Sequence, residues 1–235
     1  GYEVIEWNET NCDLQCNSYI RKAVENKNWA FVSDYFRLRA LYEFGGIYLD
    51  TDVEIYKSFD DLLSKKGFVG YMHDALIGTA VLGFEKKNLF IKKLLDLYDN
   101  AEWIEGKYDL FRIKFENGDS YLCNANNSVF TWAVFHFYDN FKLNGKYQET
   151  EDFSVFPKTE FEIGTFWGKR SHCVHRCESS WKTKNNKKEL YKIVKNAVKY
   201  IPIIHMDAII RNISAKNHMQ KSVFYERYLH DTASA

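Results

Sequence analysis

The stretch 33–52, SDYFRLRALYEFGGIYLDTD, restricts the fold more than any other part of the chain. Ser33 is a good N-cap and Asp34 falls in the first turn, where a helix dipole favours an anion. The pattern predicts a helix from there through Phe44. Gly45 and Gly46 supply the positive φ of a helix exit. Ile47, Tyr48 and Leu49 then form a short apolar strand that delivers Asp50 and Asp52 at its carboxyl end. In open α/β sheets, ligands bind just beyond that end of the strands. Residues two apart on an extended chain point the same way, so Tyr48, Asp50 and Asp52 can share one crevice while Ile47 and Leu49 anchor the strand.

The remaining sequence alternates strand-like and helix-like stretches, which predicts an α/β architecture. Residues 2–7, 67–72, 77–84, 153–156 and 173–175 read as strands. Residues 19–24, 88–98 and 128–137 read as helices, and 187–201 as a basic amphipathic helix ended near Pro202. With 235 residues and only two prolines, Pro157 and Pro202, nothing marks a clean boundary. The expected organisation is one catalytic domain over 1–186, with 187–235 as a helical extension packed on it.

Bulk properties exclude several classes. An apolar fraction of 46% with 27% charged residues argues against disorder. A formal net charge of zero offers no global attraction for nucleic acid. Charge is uneven, however: Lys182, Lys184, Lys187, Lys188, Lys192, Lys195 and Lys199 face only Glu189. Such a helix is a solvated face, or else lies peripherally on an anionic membrane. No apolar run reaches the roughly 18 residues of a membrane span, and no signal-like block opens the chain. The expected location is cytoplasmic or at the inner face of the membrane. Five scattered cysteines suggest reduced thiols. His172, Cys173, His175 and Cys177 could all ligate zinc, but their spacing is compressed for a structural site.

Two carboxylates beside a cleft suit Mg²⁺ or Mn²⁺, which keeps waters or substrate phosphates as its other ligands. Such an ion offsets the negative charge of a departing diphosphate. Asp34 and Arg37 share a helix face. They make either an exposed ion pair worth less than about 1 kcal/mol, or a donor site in which Asp34 accepts from sugar hydroxyls and Arg37 gives charge-assisted bonds.

SDYFRLRALYEFGGIYLDTDV resembles the core signature of the family-32 glycosyltransferases, the DXD-motif sugar transferases of capsular polysaccharide synthesis and yeast mannosyltransferases. It is also similar to the catalytic domain of the large clostridial glucosylating toxins. The resemblance implies a GT-A nucleotide-sugar-binding sandwich with a mixed, mainly parallel central sheet, and transfer with retention. It implies donor contacts for Asp34, Arg37 and Tyr48, and metal-diphosphate work for Asp50 and Asp52. Weaker similarity continues over 75–98, which borders the acceptor side. Asn127 falls where the family has a polar turn near the donor sugar, and its other reading is a helix N-cap. The segment from His175 to Trp181 resembles the family's His-to-Ser-Trp stretch, which implies His175 as a third metal ligand, with Ser179 and Trp181 closing over the diphosphate. Ser180 could take the place of Ser179, and His175 could be a satisfied core histidine. The family's usual opening strand and helix are missing ahead of residue 2, so that unit lies upstream or is replaced.

Together these imply a metal-dependent retaining transferase that moves a hexose from a nucleotide-diphosphate sugar to a glycan or lipid-linked acceptor in surface polysaccharide synthesis. A non-catalytic nucleotide-sugar-binding module and a toxin-like transferase acting on protein are the rival readings.

Overall fold

The computed structural model describes residues 1–164, 171–177 and 206–233. In chain order the first elements are α1 (Ser18–Glu25), α2 (Trp29–Phe44), β1 (Gly46–Leu49), β2 (Val53–Ile55), β3 (Gly67–His73), β4 (Leu76–Phe84) and α3 (Leu89–Asp99). They are followed by β5 (Glu102–Trp103), β6 (Phe111–Lys114), β7 (Ser120–Cys123) and α4 (Asn126–Phe137). Last come β8 (Gln148–Glu149), β9 (Ser154–Phe156), α5 (Lys158–Phe161), β10 (Cys173–His175), α6 (Met206–Met219) and α7 (Tyr225–Ala233). Contacts divide them into two compact units: Gly1–Gly46 with Phe84–His136, and Ile47–Gly83 with Phe137–Ala235.

The first unit is built on aromatic rings. The ring of Tyr19 lies 4.9 Å from Tyr98, 5.0 Å from Phe111 and 5.2 Å from Trp103, and Phe31 packs on the last two. Edge-to-face and offset packing of this kind adds to the burial of large apolar surfaces. The rings come from α1, α2, α3 and the antiparallel meander β5–β6–β7, in which Phe111 faces Cys123. Much of the aromatic content is thus core.

Helix α2 begins at Trp29 rather than Ser33. The extra turn buries Phe31 and Val32, a gain that outweighs the cap Ser33 could have supplied. Ser33 sits inside the helix instead, and its Oγ accepts from Arg37 at 2.9 Å. Residues 2–7 form no strand, and Tyr2, Val4 and Ile5 are exposed. Alternation makes a strand only where a neighbouring edge and a face to bury against are available.

The second unit holds a five-stranded sheet in the order β1-β4-β3-β9-β8. Strands β3 and β9 are parallel, with Val69 opposite Val155, whereas β8 and β9 are antiparallel. Only Asp74 and Ala75 separate β3 from β4, a link too short for anything but a hairpin. Gly45 approaches the Lys86 backbone while Asp50 bonds to Ala80, opposite senses that make β1 and β4 antiparallel. The α/β class holds, but the sheet is mixed and mostly antiparallel, not mainly parallel as the resemblance implied. The reason is the hairpin, which folds β4 between β1 and β3.

A separate ribbon pairs β2 with β10, His175 opposite Val53. Phe59, Leu62, Phe68, Val81, Phe161 and Cys173 form a core, against which Ile47, Leu49 and Val53 pack. Near the end of the chain, the buried Asp231 of α7 accepts from the Leu143 amide at 2.9 Å and from Arg227. The basic helix expected over 187–201 lies outside the described residues. No described helix is long and apolar enough to cross a membrane.

His73, at the end of β3, is 4% exposed, and its Nδ1 has no hydrogen-bond partner among the described residues. Burial pulls its pKa from 6.5 down to about 4, against the opposing pull of Asp74 and with smaller help from His218 and Lys158. The unfolded chain therefore takes up this proton first as the pH falls. Stability present above pH 6.5 is lost progressively down to about 4, a total of about 3 kcal/mol. Urea titrations across that window should show the loss in the native chain, and the difference between it and His73→Gln should carry the slope. Parallel profiles for the two chains would refute this account of His73.

Candidate metal centre

Strand β1 ends at Leu49, and a tight turn follows. The Asp50 amide donates to the Ala80 carbonyl at 2.8 Å, and the Val53 amide donates back to the Asp50 carbonyl at 3.1 Å. The turn holds both aspartates beside the start of β2. The Tyr48 hydroxyl donates to Asp50 Oδ1 at 2.7 Å and restrains that carboxylate. The β2–β10 ribbon then brings His175 alongside, locked by the Arg176 amide donating to the Asp52 carbonyl at 2.9 Å.

The outcome is a three-residue cluster. His175 Nε2 lies 3.2 Å from Asp52 Oδ1. One ligand atom each from Asp50, Asp52 and His175 fall within 4.8 Å of one another, and all three residues are partly buried. Two carboxylates and an imidazole are a donor set that suits Mn²⁺ or Mg²⁺, which takes waters or substrate phosphates as its other ligands.

Behind the imidazole sits Glu162, which the sequence reading missed. His175 Nδ1 donates to Glu162 Oε1 at 2.8 Å, and the His175 amide donates to the Glu162 carbonyl at 3.0 Å. Glu162 is 6% exposed. A carboxylate behind a histidine fixes the ring's orientation and raises its basicity. Here it turns Nε2 toward the aspartates. Burial pulls the His175 pKa down, but the bonds to Cys177 and Glu162 outweigh it and hold the pKa up at about 11. An arriving metal ion must therefore displace a proton. The carbonyls of His175 and Arg176 both accept from Arg211 of α6.

Other expectations fare differently. Asp34 and Arg37, in the first unit, do pair, at 2.9 Å, but Arg37 is buried and Asp34 half-buried, with side chains 7% and 13% exposed. Burying such a pair costs desolvation, so it is not the loose surface contact that spacing alone would allow. Asn127 is the second residue of α4, half-buried, and its carbonyl accepts from Thr131 Oγ1 at 2.8 Å. Its neighbour Asn126 is the buried one, accepting from the Tyr98 hydroxyl at 2.9 Å. Ser179, Ser180 and Trp181 lie outside the described residues.

The four-residue zinc set is not assembled. His172 is taken up on both ring nitrogens, by Asp61 at 2.8 Å and by Glu160. Cys173 is buried in the core beside the Phe161 carbonyl. All five thiols are free.

Residues 1–69 match the family described as a glycosyltransferase sugar-binding region containing a DXD motif. The match includes α2, the double glycine and both aspartates, and agrees with the resemblance carried by 33–53. An uncharacterized protein of Arabidopsis thaliana is 38% identical over 66 residues, which are 28% of this chain and 10% of that protein. The chain thus covers about a tenth of that relative's length. No solved structure matches.

Proposed function

We propose that the chain carrying this sugar-binding region is a metal-dependent glycosyltransferase, moving a hexose from a nucleotide-diphosphate sugar to a glycan or lipid-linked acceptor with retention. One observation carries the reading: Asp50 and Asp52, inside the matched DXD region, meet His175 from a distant part of the sequence. A Mn²⁺ or Mg²⁺ ion held by these three would offset the charge that builds up on a departing diphosphate, an effect worth several kcal/mol in order of magnitude.

The chain's own residues prepare for that. Tyr48 limits the rotamers open to Asp50, and Glu162 limits those open to His175. Both reduce the ordering cost of capturing an ion. The donor contacts that the resemblance implies for Asp34, Arg37, Tyr48, Asn127, Ser179 and Trp181 are kept in this reading. Among the described residues none stands out as a covalent nucleophile for the donor sugar, which favours departure and attack on one face, governed by positioning and electrostatics. Surface polysaccharide synthesis is the setting this chemistry fits best.

A thermal-shift panel of nucleotide sugars with and without Mn²⁺ tests the reading. A donor at 100 times its Kd should stabilise the chain by about 2.7 kcal/mol, and only with the ion present. A panel without any Mn²⁺-dependent shift would count against it. Nucleotide release then separates a turning-over enzyme from a mere binder, and NMR of the product anomer checks retention. Glu162→Gln should weaken Mn²⁺ binding by roughly 10- to 100-fold while leaving the circular dichroism unchanged. Unaltered Mn²⁺ affinity would show that the carboxylate does not hold the ring.

A further inference from the structure

The imidazole of His175 has two faces, and a second group of ligand atoms gathers on the one turned away from the aspartates. Around Nδ1 lie Glu162 Oε1 at 2.8 Å and Cys177 Sγ at 3.5 Å, with Sγ and Oε1 also 3.5 Å apart. The ligand atoms of this trio all fall within 4.8 Å of one another. In a tetrahedral zinc site with bonds of about 2.0–2.3 Å, neighbouring ligand atoms sit roughly 3.5 Å apart, so the trio needs only small adjustments. Glu162 is buried whereas Cys177 is exposed, which leaves an approach from solvent on the side of the thiol.

The donors differ in kind from those on the other face. Asp50 and Asp52 are hard oxygens, while a thiolate with an imidazole and one carboxylate selects a softer, thiophilic ion. We propose that Glu162, His175 and Cys177 form a Zn²⁺ site, completed by water, that competes with the aspartate centre for one imidazole. A ring bound to a metal through one nitrogen keeps its proton on the other. With Nδ1–H bonded to Glu162, Nε2 offers its lone pair to an ion at Asp50 and Asp52. Zinc on Nδ1 displaces that proton to the other nitrogen, releases the thiol proton of Cys177 to solvent, and so makes Nε2 an N–H donor facing Asp52. The aspartate centre loses its nitrogen ligand. Zinc binding stands on these distances alone, whereas its inhibitory consequence rests on the reading under Proposed function.

Co²⁺ serves as the spectroscopic stand-in for zinc on the full chain. One equivalent should give a thiolate-to-cobalt charge-transfer band that Zn²⁺ abolishes and that Cys177→Ser lacks. In parallel, electron paramagnetic resonance follows free Mn²⁺. One equivalent of Zn²⁺ should weaken Mn²⁺ binding by about tenfold or more in the native chain, in line with loss of one ligand's support, but not in Cys177→Ser. Absence of the band, its persistence in Cys177→Ser, or equal zinc sensitivity of both chains overturns the proposal. Asp52→Asn keeps the two ideas apart, since it should lose Mn²⁺ and retain the cobalt band. A native chain that shows the band but binds no Mn²⁺ refutes the glycosyltransferase reading and the competition, and leaves the zinc site standing.

Discussion

Asp52→Asn is expected to abolish Mn²⁺ binding and to lower Mn²⁺-dependent hydrolysis or transfer of a nucleotide sugar by at least about 100-fold. The change keeps the side chain's shape and removes its charge. An amide oxygen is a much poorer ligand than a carboxylate for a hard divalent ion. Stability should fall only modestly, because the bond that ties this position to the β2–β10 ribbon uses the Asp52 carbonyl, and the change weakens only the side chain's 3.2 Å contact with His175. Unchanged circular dichroism and a cooperative melting curve would confirm that the fold survives. Full turnover in this variant, or in the native chain with excess chelator, would remove the basis of the proposed function.

Gly45→Ala should destabilise the chain by roughly 4 kcal/mol. Gly45 has φ 73° and ψ −167°, a region that only glycine enters without strain. An added Cβ would also sit 2.7 Å from the Lys86 backbone nitrogen, and a main-chain atom cannot swing aside as a side chain can. Gly46 is the built-in comparison. Its φ is 102°, but a Cβ there meets nothing within 4 Å, so Gly46→Ala carries backbone strain alone, about 1–2 kcal/mol. Urea denaturation of the two variants should rank them in that order. Equal losses would show that the approach to Lys86 contributes nothing. Because Gly45 ends α2 and launches β1, the damage should reach the aspartate turn as weaker Mn²⁺ binding.

The candidate centre was only half legible in the sequence, and its two halves differ in physical kind. The exit of α2, the strand β1 and the place of the aspartates just past it follow from local rules, helical periodicity and the conformational freedom of glycine, although a turn and not extended alternation holds the two aspartates. These act over a few residues, so reading along the chain finds them. His175 was tied to the aspartates only through a resemblance, and Glu162 was not singled out at all. Its position behind the imidazole depends on the pairing of β10 with β2 and on the turn after α5, and no local pattern encodes either.

Competition between local and distant forces settled the remainder. Ser33 is a sound cap, yet burial of Phe31 and Val32 started α2 one turn earlier. Residues 2–7 alternate like a strand, yet they form none among the described residues. Of four neighbouring metal-binding side chains, His172 was claimed by Asp61 and Glu160 and Cys173 by the core, which left His175 and Cys177 on the candidate sites. By itself the sequence determined where two carboxylates would emerge from a strand. Only the tertiary structure decided which imidazole would meet them and which carboxylate would stand behind it, because contacts between distant segments depend on how strands pair, and that is a property of the whole fold.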